Sequence, residues 1–383
     1  MKPFKIKRMA CPICISKKKE HLYTIKNMPI YFGCREVSAE TITSDQTFII
    51  CKNCSCIYVE ELIDLELLYG HNHNTDIVGK TWKKHYELFY EFIFTESFAN
   101  KKLHILEIGD ASAKLARLSI TDDKINSWTI VEPSQNINKD VPNKISYVND
   151  WYKDKYVKNQ NHDLVVMSHV FEHLSNPKTI FDSLSVFMND DAKIYLSVPN
   201  LQDILYNKKM SPAGLHFEHT FYYDIELLKL FFETTGWAVD KHVNYQNHSH
   251  FLKLIKTQKV NNNYSYFDTN KKYFIESIED ICSKVKEINK EISNYVGKVY
   301  LYGAHIQTQI MLNLGLEQQR IESILDNSKQ KHKKVLYGTN LRVEDPKSVL
   351  SLSEECMIVC HMGHYTEEII KEILSLNSKV RFV

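Results

Sequence analysis

The run Leu106-Glu107-Ile108-Gly109-Asp110-Ala111-Ser112-Ala113 decides the fold, because it joins an apolar strand to the start of a helix. Turns of this kind lie at the carboxyl edge of a parallel sheet, where nucleotide ligands meet a helix N-terminus. Short β-rich runs alternate with helical segments from residue 103 to about residue 255. This alternation predicts an α/β domain with a parallel, doubly wound sheet.

The same alternation restarts at Val299 and predicts a second, smaller Rossmann-like domain. Helices are predicted over Trp82–Phe98 and, from the apolar spacing between Ile275 and Ile292, between the two α/β domains. The chain is therefore divided into an N-terminal module (1–60), a helical connector (61–98), a central domain (99–258), a linker helix (259–296) and a C-terminal domain (297–383). Five strands are predicted in the central domain: Leu103–Ile108, Trp128–Glu132, Ile145–Val148, Asp163–Ser168 and Lys193–Val198.

The composition is that of an ordinary globular protein. Its 383 residues are enough for two or three domains, and 43% of them are hydrophobic. A net charge of +1 gives no general field that would attract nucleic acid or an acidic membrane. There is no apolar run of the roughly 18 residues that span a bilayer, and the nine cysteines come without an export signal. We expect a cytoplasmic protein.

Two cysteine pairs, Cys11-Pro-Ile-Cys14 and Cys51-Lys-Asn-Cys54, lie in the N-terminal module. Pairs of this spacing can place four thiolates around one zinc ion. Such a site is structural, because four cysteine ligands leave no open position for water or substrate. The alternative is four unrelated buried cysteines or disulfides, and Cys34 and Cys56 are spare thiols that can replace a ligand.

The turn at Glu107 resembles the Glu-x-Gly-x-Gly-x-Gly loop of class I S-adenosylmethionine methyltransferases. Ala111 and Ala113 stand where that loop has its second and third glycines. Each alanine adds a methyl group and resists positive φ, so we expect the backbone to approach the cofactor less closely. The segment His162–Leu174 is also similar to the fourth-strand segment of these methyltransferases.

Acids follow the next strands in the order that such a cofactor site needs. Glu132 ends the second strand, where a carboxylate can accept both ribose hydroxyls. Asp150 and Trp151 follow the third strand and are expected to meet the adenine amino group and ring face. The alternatives are a surface acid at Glu132 and a polar turn at residues 150–151. The predicted cofactor-binding residues are Glu107, Gly109, Ala111, Glu132, Asp150, Trp151, Ser168 and His169.

The order of the three domains resembles the sugar C-methyltransferases that act on nucleotide-linked deoxysugars. The resemblance includes Tyr302-Gly303-Ala304-His305 and the strand-end Asp326 of the closing domain, which is either architectural or a site for the sugar nucleotide. It implies S-adenosylmethionine and one structural zinc ion as cofactors and a nucleotide-sugar substrate. No nucleic-acid or membrane partner is expected.

The segment from Leu215 to Tyr222 is predicted to be a loop over the carboxyl edge of the sheet. C-methylation needs a base, because a carbon next to a ketone must lose a proton before it attacks a methyl group. The resemblance implies that His219 is this base, Glu218 its acidic neighbour and His173 the donor to the enolate oxygen. The resemblance also implies substrate contacts from Tyr69 and from position 216. The family has a tyrosine at that position, and this chain has His216. We add Tyr222 as a further predicted substrate contact.

Other interpretations remain open from the sequence. His173 and His219 can be structural, and His71, His73 and His85 can be a second metal site, solvated residues or substrate-lining residues. The same base would also serve O-methylation of a sugar hydroxyl. A degenerate methyltransferase acting as a binding or scaffold protein is another alternative, and a nucleotide-sugar oxidoreductase is disfavoured because no GxGxxG motif follows Val299–Tyr302.

Overall fold

The computed structural model describes residues 4–69, 80–95, 98, 101–119, 122–134, 137, 140–158, 160–201, 214–246, 248–260, 265–350, 354–361 and 366–383. His71 and His73 lie outside the described residues. The chain forms two compact units. The first comprises Met1–His21, Ile49–Asp203 and Glu218–Asn270, and the second comprises Leu22–Phe48, Ile204–Phe217 and Lys271–Val383.

The strands among these residues are β1 Lys5–Lys7, β2 Lys19–Pro29, β3 Cys34–Arg35, β4 Thr43–Cys51, β5 Ile57–Val59, β6 Glu61–Ile63, β7 Leu103–Ile108, β8 Ile125–Val131, β9 Ile145–Val148, β10 Leu164–Ser168, β11 Lys193–Pro199, β12 Phe221–Tyr222, β13 Trp237–Tyr245, β14 Ser249–Lys256, β15 Lys298–Tyr302, β16 Ile321–Leu325, β17 Val335–Leu336, β18 Val343–Glu344, β19 Cys356–Val359 and β20 Val380–Phe382. The α-helices are α1 Leu65–Tyr69, α2 Lys80–Phe94, α3 Lys114–Leu118, α4 Pro177–Phe187, α5 Ile225–Thr235, α6 Phe267–Asn294, α7 Ile306–Asn313, α8 Pro346–Leu350 and α9 Thr366–Leu376.

A seven-stranded sheet forms the centre of the first unit, in the order β13-β14-β11-β10-β7-β8-β9. Strands β7 to β11 are parallel, which confirms the fold predicted from the alternating pattern. The sequence did not predict that β14 runs antiparallel to both of its neighbours. This reversal arises because β13 and β14 form a hairpin, and a tight turn can join only antiparallel strands.

The core of this sheet is rich in aromatic residues. Trp128 and Tyr195 on the strands are fully buried, as are Phe89 and Ile93 of helix α2. Residues 89 and 93 lie four positions apart and therefore on one helix face, which packs against the sheet. The sequence had predicted that this helix reaches Phe98. In the structure, helix α2 ends at Phe94.

The parallel direction of the strands brings their carboxyl ends to one edge of the sheet. Gly109 follows β7, Glu132 follows β8, Asp150 follows β9 and Ser168 ends β10. Residues that are far apart in the sequence therefore share the edge where ligands bind in open α/β sheets. The strand bounds predicted from the sequence agree with the structure within three residues at each end.

The cysteine-containing N-terminal part contributes to a four-stranded sheet in the order β12-β5-β4-β2. Strand β12 pairs antiparallel with β5, so that Phe221 lies opposite Tyr58 and Tyr222 opposite Ile57. The segment after His219 was predicted to be a loop, but it includes this strand. Helix α5 then starts at an N-cap in which the Asp224 carboxylate accepts the Leu227 N–H at 2.7 Å.

The second unit contains a five-stranded sheet in the order β18-β16-β15-β19-β20, and all of its pairings are parallel. This is the predicted Rossmann-like architecture of the C-terminal segment. Its core includes Tyr300, Leu325 and Ile358 on the strands and Ile373 on helix α9. Among the described residues, no helix combines the length and apolar character required to cross a membrane.

Candidate active site

The turn after β7 is held by a glycine and an aspartate. Gly109 has φ +85°, and a Cβ atom there would lie 2.4 Å from Cγ2 of Val170. Asp110 also has a positive φ of 97°. Its carboxylate accepts the N–H groups of Ser112 at 2.9 Å and Lys114 at 2.6 Å. These bonds stabilise the strained turn without the further glycines of the family loop.

The two alanines of this loop have different environments. Ala113 adopts the left-handed region, with φ 52° and ψ 35°, and its side chain is fully buried in the hydrophobic core. Alanine therefore adopts positive φ at this position, with its methyl group packed in the core. The expected effect on the approach of the cofactor remains a prediction. Ala111 is outside the left-handed region, and its carbonyl oxygen accepts the Tyr147 hydroxyl at 3.1 Å.

Two buried oxygen atoms at this edge fit a polar ligand. The Glu107 carboxylate is fully buried, and its Oε2 accepts the Trp128 indole N–H at 2.7 Å. Its Oε1 and the Ser168 hydroxyl have no hydrogen-bond partner among the described residues. Buried polar atoms without partners are costly, so these atoms favour a bound molecule with complementary groups. The residues at the ends of β7 and β10 thus fit a nucleotide cofactor.

Glu132 lies at the end of β8, as predicted. Its Oε1 accepts the Ser134 N–H at 2.8 Å, and the residue is half-buried. Burial raises the pKa of this carboxyl group, and the Ser134 hydrogen bond opposes that rise. The Asp110 backbone also hydrogen-bonds to this carboxyl group. A carboxylate has about four lone-pair sites, so capacity is left for hydroxyl donors.

Asp150 and Trp151 also lie at this edge. Lys153 Nζ contacts both oxygens of Asp150, at 2.7 and 2.6 Å, and the Tyr156 hydroxyl donates to Oδ2 at 2.6 Å. These partners lower the pKa of Asp150 to about 2. The Trp151 ring packs edge-on against Tyr69, with centroids 6.1 Å apart. The adenine contacts of these two residues remain a prediction.

Acid–base groups converge on His173, which ends a 3₁₀ turn after β10. The Tyr69 hydroxyl is hydrogen-bonded to its Nδ1 at 2.8 Å, and Glu218 Oε2 lies 3.6 Å from the same nitrogen. Glu172 Oε1 lies 3.6 Å from Nε2 on the other side of the ring. The His219 ring lies 5.4 Å away, centroid to centroid. The structure therefore brings together the predicted residues 69, 173, 218 and 219.

The two carboxyl groups of this cluster are unusual acids. Burial raises the pKa of Glu218 to about 8. Burial, and to a lesser extent the nearby Glu218, also raises the pKa of Glu172 to about 8. Acids with pKa values near neutrality can both accept and donate protons, which is the property that acid–base catalysis requires.

Sequence reasoning did not assign a role to Glu172. The residue is fully buried, and neither of its carboxylate oxygens has a hydrogen-bond partner among the described residues. Its Oε1 lies 3.6 Å from His173 Nε2 and also 3.6 Å from His169 Nδ1. Its place in the segment Phe171-Glu172-His173 was the one available signal, but burial was not visible from the sequence.

His85 was interpreted as a metal ligand, a solvated residue or a substrate-lining residue. The structure shows a fully buried ring whose Nε2 is hydrogen-bonded to Ser197 Oγ at 2.7 Å. A solvated role is therefore wrong. Burial lowers the pKa of His85 to about 3, so the ring is neutral.

Two predicted substrate-binding residues have different surroundings. Tyr222 is fully buried on β12, where burial raises the pKa of its phenol. His216 belongs to the second unit, where its ring packs against Phe32 with centroids 5.5 Å apart. Substrate contacts of both residues remain predictions.

The four paired cysteines form a candidate metal centre. Their sulfur atoms all lie within 4.8 Å of one another, with Cys11 to Cys54 at 3.6 Å and Cys14 to Cys51 at 3.5 Å. Zn–S bonds of about 2.3 Å in a tetrahedron give sulfur–sulfur distances of about 3.8 Å. The geometry fits one zinc ion.

The two cysteine turns have the same backbone geometry. The Ile15 N–H donates to the Cys11 carbonyl at 3.0 Å, and the Ser55 N–H donates to the Cys51 carbonyl at 2.9 Å. Both Ile15 and Ser55 have positive φ, at 62° and 60°. Two equivalent turns that present sulfur atoms to a common point are the arrangement expected of a metal site. Cys56 is not part of it, because its thiol donates to backbone carbonyls.

Glu172, His173 and His219 also have one donor atom each within 4.8 Å of the others. A divalent ion would require the ionised form of Glu172, and burial favours the protonated form of this acid. His173 would offer Nε2 to such an ion, because its Nδ1 is bonded to Tyr69. The raised pKa of Glu172 favours acid–base chemistry over metal binding for this group.

In the second unit, Asp326 follows β16 and is buried. Its Oδ2 accepts from the Ala304 N–H and from Lys331 Nζ, both at 2.9 Å, and its Oδ1 accepts the Ser328 N–H at 2.9 Å. Both oxygens are therefore used within the unit. This pairing favours the architectural interpretation of Asp326 over a nucleotide contact.

Comparison with known proteins agrees with this architecture. Residues 83–242 match the family model described as a methyltransferase domain, and residues 238–383 match the model described as a C-methyltransferase C-terminal domain. No curated protein matches the chain.

Solved structures are similar at low identity. Magnesium protoporphyrin IX methyltransferase from Synechocystis, with bound S-adenosylhomocysteine, is 10% identical, with 46% of this chain and 84% of that chain covered and a TM-score of 0.35. An S-adenosylmethionine-dependent methyltransferase from Mesorhizobium loti is 9% identical, with 48% and 100% covered and a TM-score of 0.35. Similarity at this level carries no argument about function. The two family matches, with the fold and the ligand edge described above, identify the chain as an S-adenosylmethionine-dependent methyltransferase with a C-methyltransferase C-terminal domain.

Proposed function

We propose that this methyltransferase transfers a methyl group to the carbon next to the keto group of a nucleotide-linked deoxysugar, with His219 as the general base. The observation that carries the proposal is the acid–base cluster of Tyr69, His173 and Glu218 beside His219. The description of the matched C-terminal domain supports carbon as the acceptor. The sugar is supported by the resemblance of these residues to those of sugar C-methyltransferases.

The residues at the carboxyl edge of the sheet would hold the cofactor. Glu107 and Ser168 offer unpaired buried oxygens, and Glu132 offers a carboxylate to the ribose hydroxyls. When bound, S-adenosylmethionine supplies a methyl group on a positively charged sulfur atom. The zinc ion would serve folding, because its four cysteine ligands leave no open position.

His219 removes a proton from the carbon next to the ketone, and the neighbouring acid Glu218 orients or polarises it. The enolate oxygen then needs a hydrogen-bond donor. With its proton on Nδ1, His173 donates to the Tyr69 oxygen, and the phenol proton stays available for the enolate. Burial raises the pKa of Tyr69 well above its ordinary value, so the phenol keeps this proton at neutral pH.

Exchange of the sugar hydrogen tests this function. Nucleotide-linked keto-sugars are incubated with the enzyme in deuterated buffer, and incorporation next to the ketone is measured by mass spectrometry. We expect exchange with the wild type and its suppression in His219→Ala, together with a turnover that is lower by roughly 10²–10⁴-fold. His21→Ala, which changes an exposed histidine, is the matched control.

The outcomes separate the alternatives. Methylation without hydrogen exchange would favour the O-methyltransferase, to which His216 in place of the family tyrosine also points. Absence of any S-adenosylmethionine binding by calorimetry would favour a scaffold protein. Methylation at a near wild-type rate by His219→Ala would refute the base assignment and direct attention to His173 or Tyr222.

A further inference from the structure

Glu172 lies between two histidine rings. Its Oε1 is 3.6 Å from His169 Nδ1 and 3.6 Å from His173 Nε2, and the side chain is 1% exposed. These distances are longer than a hydrogen bond, and neither oxygen has another partner among the described residues. Catalytic contacts are often long in ligand-free structures and shorten in the complex. A small rotation of this carboxyl group would bring it to either ring.

The contacts continue beyond His169 to a half-buried residue. His169 Nε2 is hydrogen-bonded to Ser249 Oγ at 2.9 Å, and the same oxygen is bonded to His248 Nδ1 at 2.7 Å. Ser249 is fully buried, whereas His248 is partly exposed. Because Glu172 and Ser249 contact opposite nitrogens of His169, the ring links them.

Trp82 keeps these rings in place. Its ring packs edge-on against His169 and against His248, with centroids 4.7 and 4.8 Å away. Aromatic contacts at this separation stabilise a fixed relative orientation. The hydrogen-bonded chain is therefore held by packing as well as by its own bonds.

We propose that Glu172, His169, Ser249 and His248 form a proton path that carries the proton taken up by His219 to solvent. The inference rests on the proposed function in one respect, since the proton originates at the substrate carbon. Transfer of a methyl group from a sulfonium to a carbon releases one proton in each turnover. His219 must lose this proton before it can act again, and a path that leads away from the substrate side would remove it while the ligands are still bound.

The proton leaves the site in five transfers along this path, each of which moves one proton from a donor to an acceptor. Protonated Glu172 gives its proton to His169 Nδ1, and the His169 Nε2 proton passes to Ser249 Oγ. The Ser249 hydroxyl proton passes to His248 Nδ1, and His248 releases its Nε2 proton to water. The Glu172 carboxylate then takes the proton from His219, whose donor atom lies within 4.8 Å of it. The transfer leaves both rings in the other tautomer. After the product leaves, Glu172 loses its proton to water in the open site, and the chain then carries one proton inward from His248, which restores both rings and protonated Glu172.

The groups along the path are suited to transient protonation. Burial and the neighbouring histidines lower the pKa of His169 well below its ordinary value, so this ring gives up an added proton readily. Burial raises the pKa of Glu172 to about 8, so this acid holds a proton near neutral pH. The titratable groups that face Glu172 are Tyr69, His169, His173, Glu218, His219 and Tyr223.

A second histidine–serine pair provides a matched control. His85 Nε2 is hydrogen-bonded to Ser197 Oγ at 2.7 Å, and both residues are fully buried. The other ring nitrogen of His85 has no hydrogen-bond partner among the residues the structure describes. This pair has the chemistry of His169 and Ser249. Its ring packs against His169, with centroids 5.2 Å apart, but neither of its nitrogens is hydrogen-bonded to a group of the path.

The first experiment needs no sugar substrate. The full chain, with ¹⁵N-labelled histidine and saturated with S-adenosylhomocysteine, is studied by NMR at pH 7. We expect His169 to carry its proton on Nε2 and to exchange it with water at least about tenfold faster than His85 exchanges its own. Ser249→Ala should abolish this difference. A proton on His169 Nδ1, or equal exchange at His169 and His85 in the wild type, would overturn the path.

The second experiment measures turnover with a nucleotide-linked keto-sugar. Ser249→Ala and Glu172→Gln should lower turnover at least about tenfold, and added imidazole should restore part of it, because a soluble base can replace the path. Ser197→Ala should retain the wild-type rate. Melting temperatures within the range of the wild type exclude a folding defect.

Two results of the second experiment would count against the path. One is an equal rate for Ser249→Ala and Ser197→Ala, and the other is a second metal ion per chain in elemental analysis. If the wild type methylates no keto-sugar, the proposed function fails, and the NMR experiment still decides whether the path exists.

Discussion

The Tyr69 hydroxyl lies 2.8 Å from Nδ1 of His173. This contact joins the end of helix α1 to the 3₁₀ turn that follows β10, so two segments far apart in the sequence form one hydrogen-bonded pair. In the proposed reaction, one of the two supplies the donor for the enolate oxygen. Loss of the Tyr69 hydroxyl should therefore slow the reaction.

Tyr69→Phe removes the hydroxyl and preserves the ring that packs against Trp151. We expect turnover to fall about 10–100-fold, because one hydrogen bond to the developing enolate is lost. The affinity for S-adenosylmethionine, measured by calorimetry, should not change. Tyr23→Phe is a control for the loss of a hydroxyl group outside this cluster. A turnover equal to that of the wild type would remove Tyr69 from the reaction.

Glu132→Ala should weaken S-adenosylmethionine binding by about 1.5–3 kcal/mol, because two ribose hydroxyls lose a charged acceptor. Titration calorimetry measures this change. Asp154→Ala, which removes an exposed carboxylate near the same edge, should bind the cofactor like the wild type. Similar affinities of Glu132→Ala and the wild type would show that the ribose is held elsewhere.

Glu172 should make stability depend on pH. Its pKa is raised from 4.5 to about 8 in the folded state, so the folded protein holds this proton more tightly than the unfolded chain. The contribution of protonated Glu172 to the free energy of unfolding is fully present below pH 4.5. It is lost as the pH rises towards 8. One pKa unit corresponds to roughly 1.4 kcal/mol, so the effect is large enough to shift the melting temperature.

We therefore expect the melting temperature of the wild type to fall relative to that of Glu172→Gln between pH 5 and pH 8. Above pH 8 the difference should level off. Glu226→Gln, at an exposed site, should follow the wild type throughout. Parallel curves for the wild type and Glu172→Gln would mean that Glu172 has an ordinary pKa.

The purified chain should contain about one zinc ion, because one tetrahedral site uses all four paired cysteines. The double variant Cys51→Ser with Cys54→Ser should lose the metal and unfold at a lower temperature. Cys34→Ser changes a thiol that is not one of the four paired cysteines, so this variant should keep the zinc ion. Elemental analysis measures the metal, and a folded double variant that retains zinc would contradict the assignment.

The sequence predicted the parallel strands and the order of the ligand edge because both depend on local patterns. Buried parallel strands appear as short apolar runs, and their carboxyl ends necessarily share one edge. The reversed strand β14 and the short strand β12 were missed. Their pairing depends on partners far away in the chain, such as Tyr58 for Phe221.

The candidate site was predicted in part. His173 and His219 were predicted from chemistry and resemblance, because histidines near a strand end are visible in the sequence. Glu172 and Ser249 were not singled out, because their proposed roles depend on burial and on a contact across 80 residues between His169 and Ser249. The conformation of Ala113 was not visible in the sequence either, since the packing of its methyl group is a tertiary property.

The pairing of β5 with β12 ties the segment after the second cysteine pair to the segment after His219. Strand β5 follows Cys54, and β12 follows His219, so a ladder of backbone bonds connects the cysteine site to the proposed base. The Arg8 guanidinium strengthens this connection by donating to the Thr220 carbonyl at 3.1 Å and to the Ser175 carbonyl at 2.9 Å. A disturbance of the cysteine site would thus reach His219 through backbone bonds, without a change in any acid–base group.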